Sequence, residues 1–572
     1  MSMLGAPTAE TDTAADPRRW FTLAIVILAA FIVVLDNSVL YVAIPTILRE
    51  FHTTLPSLQW VVTGYALTFA TLLIIGGRLG DVYGHRRIFI IGAALFGTGS
   101  LIASVSTSVP QLVLGEAIIE GVGASLMMPA TLAILSSTFQ GRERGTAFAM
   151  WGATAGAGAA FGPVVGGFLT TNYSWRWAFR INVVVAPIAI IGALLFIRKS
   201  HRGERNLGID VPGALLIAAG MFLLVFGLSE GGTYGWLVPR TDFQIAGHVV
   251  WPDTWPISVI PVVFAVAAAI LTTFVLYERA KERRGGGPLF EFSLLRIKSL
   301  RWGLLTGMVL AMGQLSVLFV LPNLLQDGKH LTAEQNGFWL LPTGLFVIVG
   351  ARLGNALIRR IGTTMVVRVG LVMEAVGILL IAIVVSPTLT FPELLPGFAL
   401  YGIGIGFAAA QLTNVVLEHI PRVKSGVVSG ANTTARQVGS ALGIAVIGAL
   451  LTAQTIRRAT TEIKAASLPA DVRTHALTRI HALGTNFAPP PGTSAHDIAT
   501  LRSALANAVA SGTRFALVFA TLVVALGALI SLLIPRTEPP PPEPAFRAVE
   551  NFEAFEPVDA DPAFVDGSFR EG

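Results

Sequence analysis

The chain has 572 residues, of which 53% are hydrophobic and only 13% are charged, with a mean hydropathy of +0.69. A soluble domain carries about 25% charged residues, so the composition excludes an ordinary soluble protein and indicates one with many membrane spans. The net charge of +6 does not indicate nucleic-acid binding, because Lys and Arg cluster beside apolar runs, where they determine topology. Without cysteine, the chain has no disulfides, thiolate metal sites or thiol catalysis.

Fourteen apolar runs are long enough to cross a bilayer, which takes about 20 residues. They cover 20–48, 57–76, 87–107, 110–138, 145–170, 175–197, 211–229, 256–277, 300–325, 333–351, 364–386, 392–417, 426–453 and 513–534. Basic residues concentrate in the loops that follow even-numbered runs, so the positive-inside rule predicts that both termini are cytoplasmic. We therefore expect a multi-pass protein of the plasma (inner) membrane.

The runs divide the chain into five predicted regions. These are a cytoplasmic tail (1–19), a six-helix bundle (20–200), an inserted helix pair with linkers (201–299), a second six-helix bundle (300–535) and an acidic cytoplasmic tail (536–572). The second bundle includes a long external loop, 454–512. The last tail is rich in Pro and acids, cannot bury a core, and is predicted to be disordered.

A charged turn, Gly77–Arg87, is predicted between the second and third runs. Arg78 and Asp81 stand three residues apart, which places them on one side of a helical turn. A degenerate copy, 351–355, appears in the second half of the chain, with Asn355 in place of the acid. An internal repeat in a membrane protein usually indicates a transporter built from two related bundles.

Asp36 lies near the centre of the first run. An ionised carboxylate there costs about 2.5–3.5 kcal/mol even on the lenient insertion scale. We therefore expect Asp36 to take up and release a proton. The alternative is a permanently protonated or hydrogen-bonded packing residue.

Two more acids, Glu116 and Glu120, lie within the fourth run at i,i+4, on one face of a helix. Two close, buried carboxylates cannot both ionise at low cost, so the pair is expected to share a proton. Such a pair attracts a cation or binds a proton. The alternative is that both side chains point into external water at the end of the helix.

Small residues mark the fifth run. Gly158, Gly162 and Gly166 repeat at i,i+4,i+8 and form one smooth face on which another helix can pack closely. Pro163 removes a backbone hydrogen bond and favours a bend, and Gly167 extends the motif. The spacing fits both a static contact and a moving interface.

Polar and aromatic side chains inside other runs are candidates for a substrate cavity, because cavities for drug-like solutes are mostly apolar with a few placed polar groups. The candidates are Trp60, Tyr65, Asn323, Gln326, Gln411, Asn414 and Arg436. Each could equally be a packing or interface residue. Arg436 lies deep enough to need a partner or a wet cavity.

Four stretches together resemble the fourteen-span drug:proton antiporters of the major facilitator superfamily. They are Leu35–Pro45, Gly77–Arg87, Gly158–Gly167 and Ser174–Asn182, and the resemblance covers nearly the whole chain. It implies an all-α membrane fold of 6 + 2 + 6 helices and a proton or cationic-substrate role for Asp36. It further implies that the fifth-run glycines form a rocking interface sealing the external side. The turn would lock the outward-open state through a set of residues comprising Gly77, Arg78, Asp81, Gly84, Arg86 and Arg87.

The fourth run departs from the family pattern. Ala117 stands where the family has an arginine, and Glu120 stands where it has a glutamine. The proton-relay arginine of the family therefore has no counterpart here, and Glu116 and Glu120 are expected to take its place.

These observations predict a secondary transporter that exports small amphipathic or cationic compounds in exchange for protons. The sequence has no P-loop, so ATP hydrolysis is not expected and an ion gradient is the expected energy source. As a transporter driven by a proton gradient, the chain is expected to need no cofactor and to have no enzymatic activity. The expected partners are the small-molecule substrate, protons and the bilayer, with no nucleic acid, and the chain is expected to be a monomer. The alternatives are an exporter of an endogenous metabolite or lipid, and a transport-inactive scaffold or receptor.

Overall fold

The computed structural model describes residues 17–139, 141–198, 210–245, 248–417, 420, 425–483, 485, 487 and 489–536. Most of the predicted tails, 1–19 and 536–572, therefore lies outside the described residues. The described chain is almost entirely helical, which confirms the predicted fold class.

The first half of the chain contains eight helices and one hairpin. They are α1 (Arg19–Phe51), α2 (Leu55–Tyr83), α3 (His85–Ser104), α4 (Val109–Thr138), α5 (Gly141–Asn172), α6 (Trp177–Phe196), α7 (Val211–Tyr234), β1 (Phe243–Ile245), β2 (His248–Trp251) and α8 (Val259–Arg283). The two strands pair antiparallel in the connection between α7 and α8.

The second half begins with a short 3₁₀ turn, Phe292–Arg296. The helices that follow are α9 (Lys298–Asn323, continued by a π-helical turn, Leu324–Gly328), α10 (Ala333–Ile361), α11 (Thr363–Val384), α12 (Phe391–Leu417), α13 (Ser425–Ala465), α14 (Ala470–Leu483) and α15 (Ala495–Ser531). Each of the fourteen predicted runs falls on one helix. Among the described residues, 12 helices are long and apolar enough to span a membrane, so the count of fourteen spans stays a prediction.

The segment 454–512 is not the loop that the sequence indicated. α13 continues to Ala465, α14 follows, and α15 already begins at Ala495. These helices extend because their apolar residues form a core of their own, comprising Ala459, Ile463, Leu468, Val472, Ala476, Ile480, Leu501 and Ala508. Its predicted external location stays a prediction.

The charged turn is also shorter than predicted. α2 continues to Tyr83 and α3 begins at His85, so Gly77 lies inside α2 and only Gly84 separates the two helices. Gly84 has φ +94°, a conformation that side chains with a Cβ rarely adopt. The turn therefore depends on this one glycine.

The packing of the first six helices recurs in the second half. α1 packs on α5, α2 on α4, and α3 on both α4 and α6; the matching pairs are α9 with α13, α10 with α12, and α11 with α12 and α15. We call α1–α6 the N-bundle and α9–α13 with α15 the C-bundle. α7 and α8 pack on each other, and α7 contacts both α2 and α13. The inserted pair therefore lies against both bundles.

Candidate functional site

Three carboxylates from two helices meet inside the N-bundle, and we call them the acid cluster. Asp36 comes from α1, and Glu116 and Glu120 come from α4; one oxygen of each lies within 4.8 Å of the others. Asp36 is 2% exposed, and the two glutamates are 0% exposed. The acids are therefore shielded from water in this conformation, which excludes the alternative that the glutamates point into the external solution.

The two glutamates lie in a π-helical segment of α4, Val113–Glu120. In such a segment the hydrogen bonds run from i to i+5, so residues four apart still share a face, and π turns in α-helices are frequent at functional sites. Close packing supports the segment. A Cβ added at Gly99 on α3 would lie 2.5 Å from the backbone nitrogen of Glu120, and one at Gly115 would lie 2.7 Å from that of Ala103.

Asn182 on α6 connects the acids. Its Nδ2 donates to Asp36 Oδ1 at 2.6 Å and to Glu120 Oε1 at 3.0 Å. Tyr65 on α2 is fully buried and lies close enough to all three acids to interact with them electrostatically. In the sequence, Asn182 stands out only as the last residue of the Ser174–Asn182 stretch. Its polar side chain within the sixth apolar run is the signal that identifies it as a candidate site residue.

The acid cluster has too few donors for three negative charges. The other oxygens of Asp36 and Glu120, and both oxygens of Glu116, lack a hydrogen-bond partner among the described residues. Two unit charges within 4.8 Å of each other repel by about 3 kcal/mol or more at an effective dielectric constant of about 20. The arrangement is therefore stable only when protons, or a bound cation, neutralise most of the charge.

The donor set also fits a hard cation, which prefers carboxylate oxygens. Within the described part of the chain, no other group of three or more His, Asp or Glu residues converges in this way. The chemistry of the cluster thus fits a proton or a positively charged ligand at one place.

The glycine face of α5 packs on α1, around Asp36. A Cβ added at Gly158 would lie 2.6 Å from Val34 Cγ1, one at Gly166 would lie 2.8 Å from Val39 Cγ1, and Gly162 abuts Ser38. This face is a contact within the N-bundle. It holds the first helix, and with it the acid cluster, against α5.

A different side of α5 contacts the C-bundle. A Cβ added at Gly167 would lie 2.9 Å from Glu334 Cα on α10, and the backbone carbonyl of Pro163 abuts Gly337. The Gly158–Gly167 stretch of α5 therefore contributes both to the contact with α1 within the N-bundle and to the contact with α10 of the C-bundle. Movement at this interface stays a prediction.

Further contacts join the bundles at the end of the molecule where α1 ends and α2 begins, which we call the loop 1–2 end. Gln326 Nε2 donates to Val42 O at 2.8 Å, and Gln59 Nε2 donates to Ile444 O at 2.5 Å. The Glu334 backbone N–H donates to Thr171 Oγ1 at 2.8 Å. Gln326, a candidate for the substrate cavity, thus forms part of the contact that closes this end.

Trp60 points toward the inserted pair. Its Nε1 donates to Glu230 Oε1 on α7 at 2.7 Å, and its ring lies 5.9 Å from that of Phe222 and 5.8 Å from that of Phe226. It fastens α7 to α2. Glu230 lies one residue beyond the seventh run, so its position gives a weaker signal in the sequence than that of Asp36.

The remaining candidates for the substrate cavity lie in the C-bundle, where their side chains form hydrogen bonds within that bundle. Gln411 Nε2 donates to Asn355 Oδ1 at 2.6 Å, and Asn414 Nδ2 donates to Gln411 Oε1 at 2.9 Å. Asn323 donates to a carbonyl of its own helix. Asn355, which replaces the acid in the repeated motif, is therefore held by α12.

Arg436 on α13 donates from Nη1 to Ala409 O at 3.3 Å. It interacts electrostatically with Glu374 on α11, whose side chain is 0% exposed. Glu374 was missed in the sequence. It lies within the eleventh apolar run, so the cost of a buried acid would have identified it.

Of the four charged candidate lock residues, the structure describes two side chains. Arg86 Nη2 donates to Leu194 O at 2.7 Å, which joins α3 to α6, and Arg87 is exposed. The side chains of Arg78 and Asp81 lie outside the described residues.

Comparison with known proteins identifies the family. The model of the Major Facilitator Superfamily matches residues 26–444. The chain is 32% identical over 77% of its length, and 74% of the relative's, to the "Probable actinorhodin transporter" of Streptomyces coelicolor. It is 28% identical over 91% of its length, and 93% of the relative's, to the "Tetracenomycin C resistance and export protein" of Streptomyces glaucescens.

Solved structures of other transporters share the fold. A bacterial homologue of the human lysosomal transporter Spinster, in an inward-facing conformation, aligns with 92% of this chain and 100% of its own at a TM-score of 0.56 and 16% identity. At that identity the likeness concerns the fold alone. Together with the family match across most of the chain, these findings confirm the resemblance: the chain belongs to the major facilitator superfamily and is a multi-pass membrane transporter, not an enzyme.

Proposed function

We propose that this chain exports small amphipathic or cationic compounds in exchange for protons, by alternating access. The observation that carries the proposal is the acid cluster: three buried carboxylates within 4.8 Å that require protons or a cation for neutrality. When the cluster faces the cytoplasm it releases protons and binds the positively charged part of a substrate. When it faces outward, incoming protons neutralise the acids and the substrate leaves.

The arrangement of the bundles supports the same cycle. Under the predicted topology, with both termini in the cytoplasm, the loop 1–2 end faces outward. The contacts of Gln326, Gln59 and Glu334 then close the external side. In the opposite state these contacts separate and the acid cluster gains access to the outside. The proton gradient supplies the energy without a cofactor, and a single chain, as a monomer in the inner membrane, suffices.

A second cargo class has support from the relatives. Both named Streptomyces proteins carry a specific compound in their names, actinorhodin and tetracenomycin C, and one is called an export protein. An endogenous metabolite or lipid is therefore the alternative substrate on the same machinery. A scaffold or receptor without transport is disfavoured, because it has no use for three buried acids.

Transport in proteoliposomes tests the proposal. The purified chain is exposed to an imposed pH gradient with cationic, neutral and anionic compounds, including a fluorescent lipophilic cation and actinorhodin, the compound named in one relative. We expect pH-driven accumulation of cations by the parent and none by Asp36→Asn, which nearly preserves shape but removes a titratable group. Accumulation at the parental rate by Asp36→Asn would overturn the assignment, and accumulation of actinorhodin alone would favour the second cargo.

A further inference from the structure

We propose that Glu374, in the C-bundle, is a second proton-binding site of the transporter, and that Arg436 controls whether it keeps its proton. The inference rests on the proposed proton-coupled export. It goes beyond that function by placing a second proton site in the C-bundle, whereas all the proton sites predicted from the sequence lie in the N-bundle.

Glu374 has no compensation for a negative charge in this conformation. Its side chain is 0% exposed, and neither carboxylate oxygen has a hydrogen-bond partner among the described residues. A buried carboxylate without donors is strongly disfavoured relative to its protonated form. The carboxyl group is therefore protonated here.

The backbone of Glu374 cannot withdraw toward water. α11 and α12 cross at Gly404, where an added Cβ would lie 2.5 Å from the Glu374 nitrogen and 2.6 Å from Gly370 O. Helices in such close contact fix the position of the residues at the crossing. Release of the proton then requires that a positive charge approach the carboxylate.

Arg436 is the charge that can do so. It interacts electrostatically with Glu374, but its guanidinium donates to Ala409 O instead, and among the described residues no ion pair joins the two side chains. The other titratable neighbour, Tyr401 on α12, donates its hydroxyl proton to Gln314 O. A guanidinium that leaves Ala409 and reaches Glu374 would stabilise the ionised form.

The position of Arg436 links this change to transport. Arg436 lies on α13, which also packs against α2 of the N-bundle. A change in the arrangement of the bundles therefore acts directly on the helix that carries the guanidinium. In one arrangement Glu374 holds a proton, and in the other Arg436 replaces that proton.

The proton-to-substrate ratio tests this inference in the full-length chain. In proteoliposomes with the membrane potential clamped at zero, each coupled proton contributes about a tenfold factor in accumulation per pH unit. We expect Glu374→Gln to lower the steady-state accumulation of the fluorescent cation about tenfold per pH unit of gradient, while downhill exchange continues. Arg436→Gln should do the same, because Glu374 then cannot release its proton. Glu393→Gln, an exposed glutamate at the start of α12, is the matched control and should leave the ratio unchanged.

A parental ratio in Glu374→Gln overturns the inference. If that variant fails to fold, Arg436→Gln decides instead: a lowered ratio supports the inference and a parental ratio overturns it. Failure of the proposed function looks different, because the parent itself would then accumulate nothing in response to the pH gradient.

Discussion

The two bundles share a backbone contact but place different chemistry on it. In the N-bundle, Gly99 on α3 lies against the backbone of Glu120 on α4; in the C-bundle, Gly404 on α12 lies against the backbone of Glu374 on α11. A Cβ on either glycine would lie 2.5 Å from the nitrogen of the acid. The third and fourth helices of each bundle thus cross in the same manner, with glycine and acid exchanged between them.

The surroundings of the two acids differ. Glu120 has two acidic neighbours, Asp36 and Glu116, and a shared amide donor in Asn182. Glu374 has a single cationic neighbour, Arg436. The comparison shows that a repeated helix crossing can be kept while its charges diverge: one bundle gathers three acids, and the other places a single acid near a base.

The largest effect expected from this comparison follows removal of the acid pair in the N-bundle. The Glu116→Gln/Glu120→Gln double variant keeps the shape of both side chains but removes two titratable groups. We expect pH-driven accumulation to be abolished, and each single variant to lose about tenfold per pH unit for each coupled proton removed. The measurement is the accumulation ratio of the fluorescent cation across a series of imposed pH gradients.

The same series for Glu393→Gln provides the control, since that side chain is exposed. If the double variant responds to pH as the parent does, the glutamates are bystanders and the N-bundle is not the main coupling site.

The shared crossing predicts an intermediate effect on stability. Gly99→Ala and Gly404→Ala each force a Cβ against a backbone nitrogen, so each should lower the free energy of unfolding by about 1–3 kcal/mol. Because the distances agree, the two losses should be similar. Thermal unfolding of the purified chain in detergent measures them.

Gly232→Ala on α7 is the matched control, because an added Cβ there meets nothing within 4 Å; it should leave the melting temperature unchanged or slightly raised. A marked loss at only one of the two crossings would show that they are not equivalent.

Much of the fold could be predicted from the sequence, because apolar runs of bilayer length have few structures available to them. The acid at position 36 could be predicted for the same reason: a buried charge is costly and therefore conspicuous. The same reasoning also identifies Glu374, which lies inside the eleventh run, whereas Glu230 lies just beyond the seventh run and is less conspicuous. The packing partners could not be predicted, because the direction of a side chain such as Trp60 or Gln326 depends on how the helices are rotated about their axes.

The prediction of a loop at 454–512 was wrong because it considered only the lack of a long apolar run in this polar segment. Its apolar residues recur along α13, α14 and α15 and bury one another, a contact between segments that are separate in sequence. Its amphipathic spacing was the available signal.

The smallest effect is expected at the ion pair that joins the bundles, Arg49 Nη1 with Asp327 Oδ1 at 3.5 Å. The side chains are 47% and 23% exposed, and such partly exposed pairs contribute under about 1 kcal/mol. A double-mutant cycle of Arg49→Gln and Asp327→Asn should therefore change the closing equilibrium by no more than about fivefold.

The labelling rate of Ser57→Cys by an impermeant maleimide can report this equilibrium, because Ser57 lies at the loop 1–2 end and the chain has no native thiol. Under the predicted topology the cysteine reacts from outside. In the closed state α5 and α10 also pack backbone to backbone at Gly167 and Gly337. Salt does not weaken this uncharged contact, so we expect the labelling rate to depend little on salt. A coupling energy well above 1 kcal/mol, or a strong dependence of the labelling rate on salt, would instead show that the Arg49–Asp327 ion pair is the main contact that keeps the bundles closed. In that case electrostatic attraction, and not close backbone packing, would hold the two bundles together in the closed state.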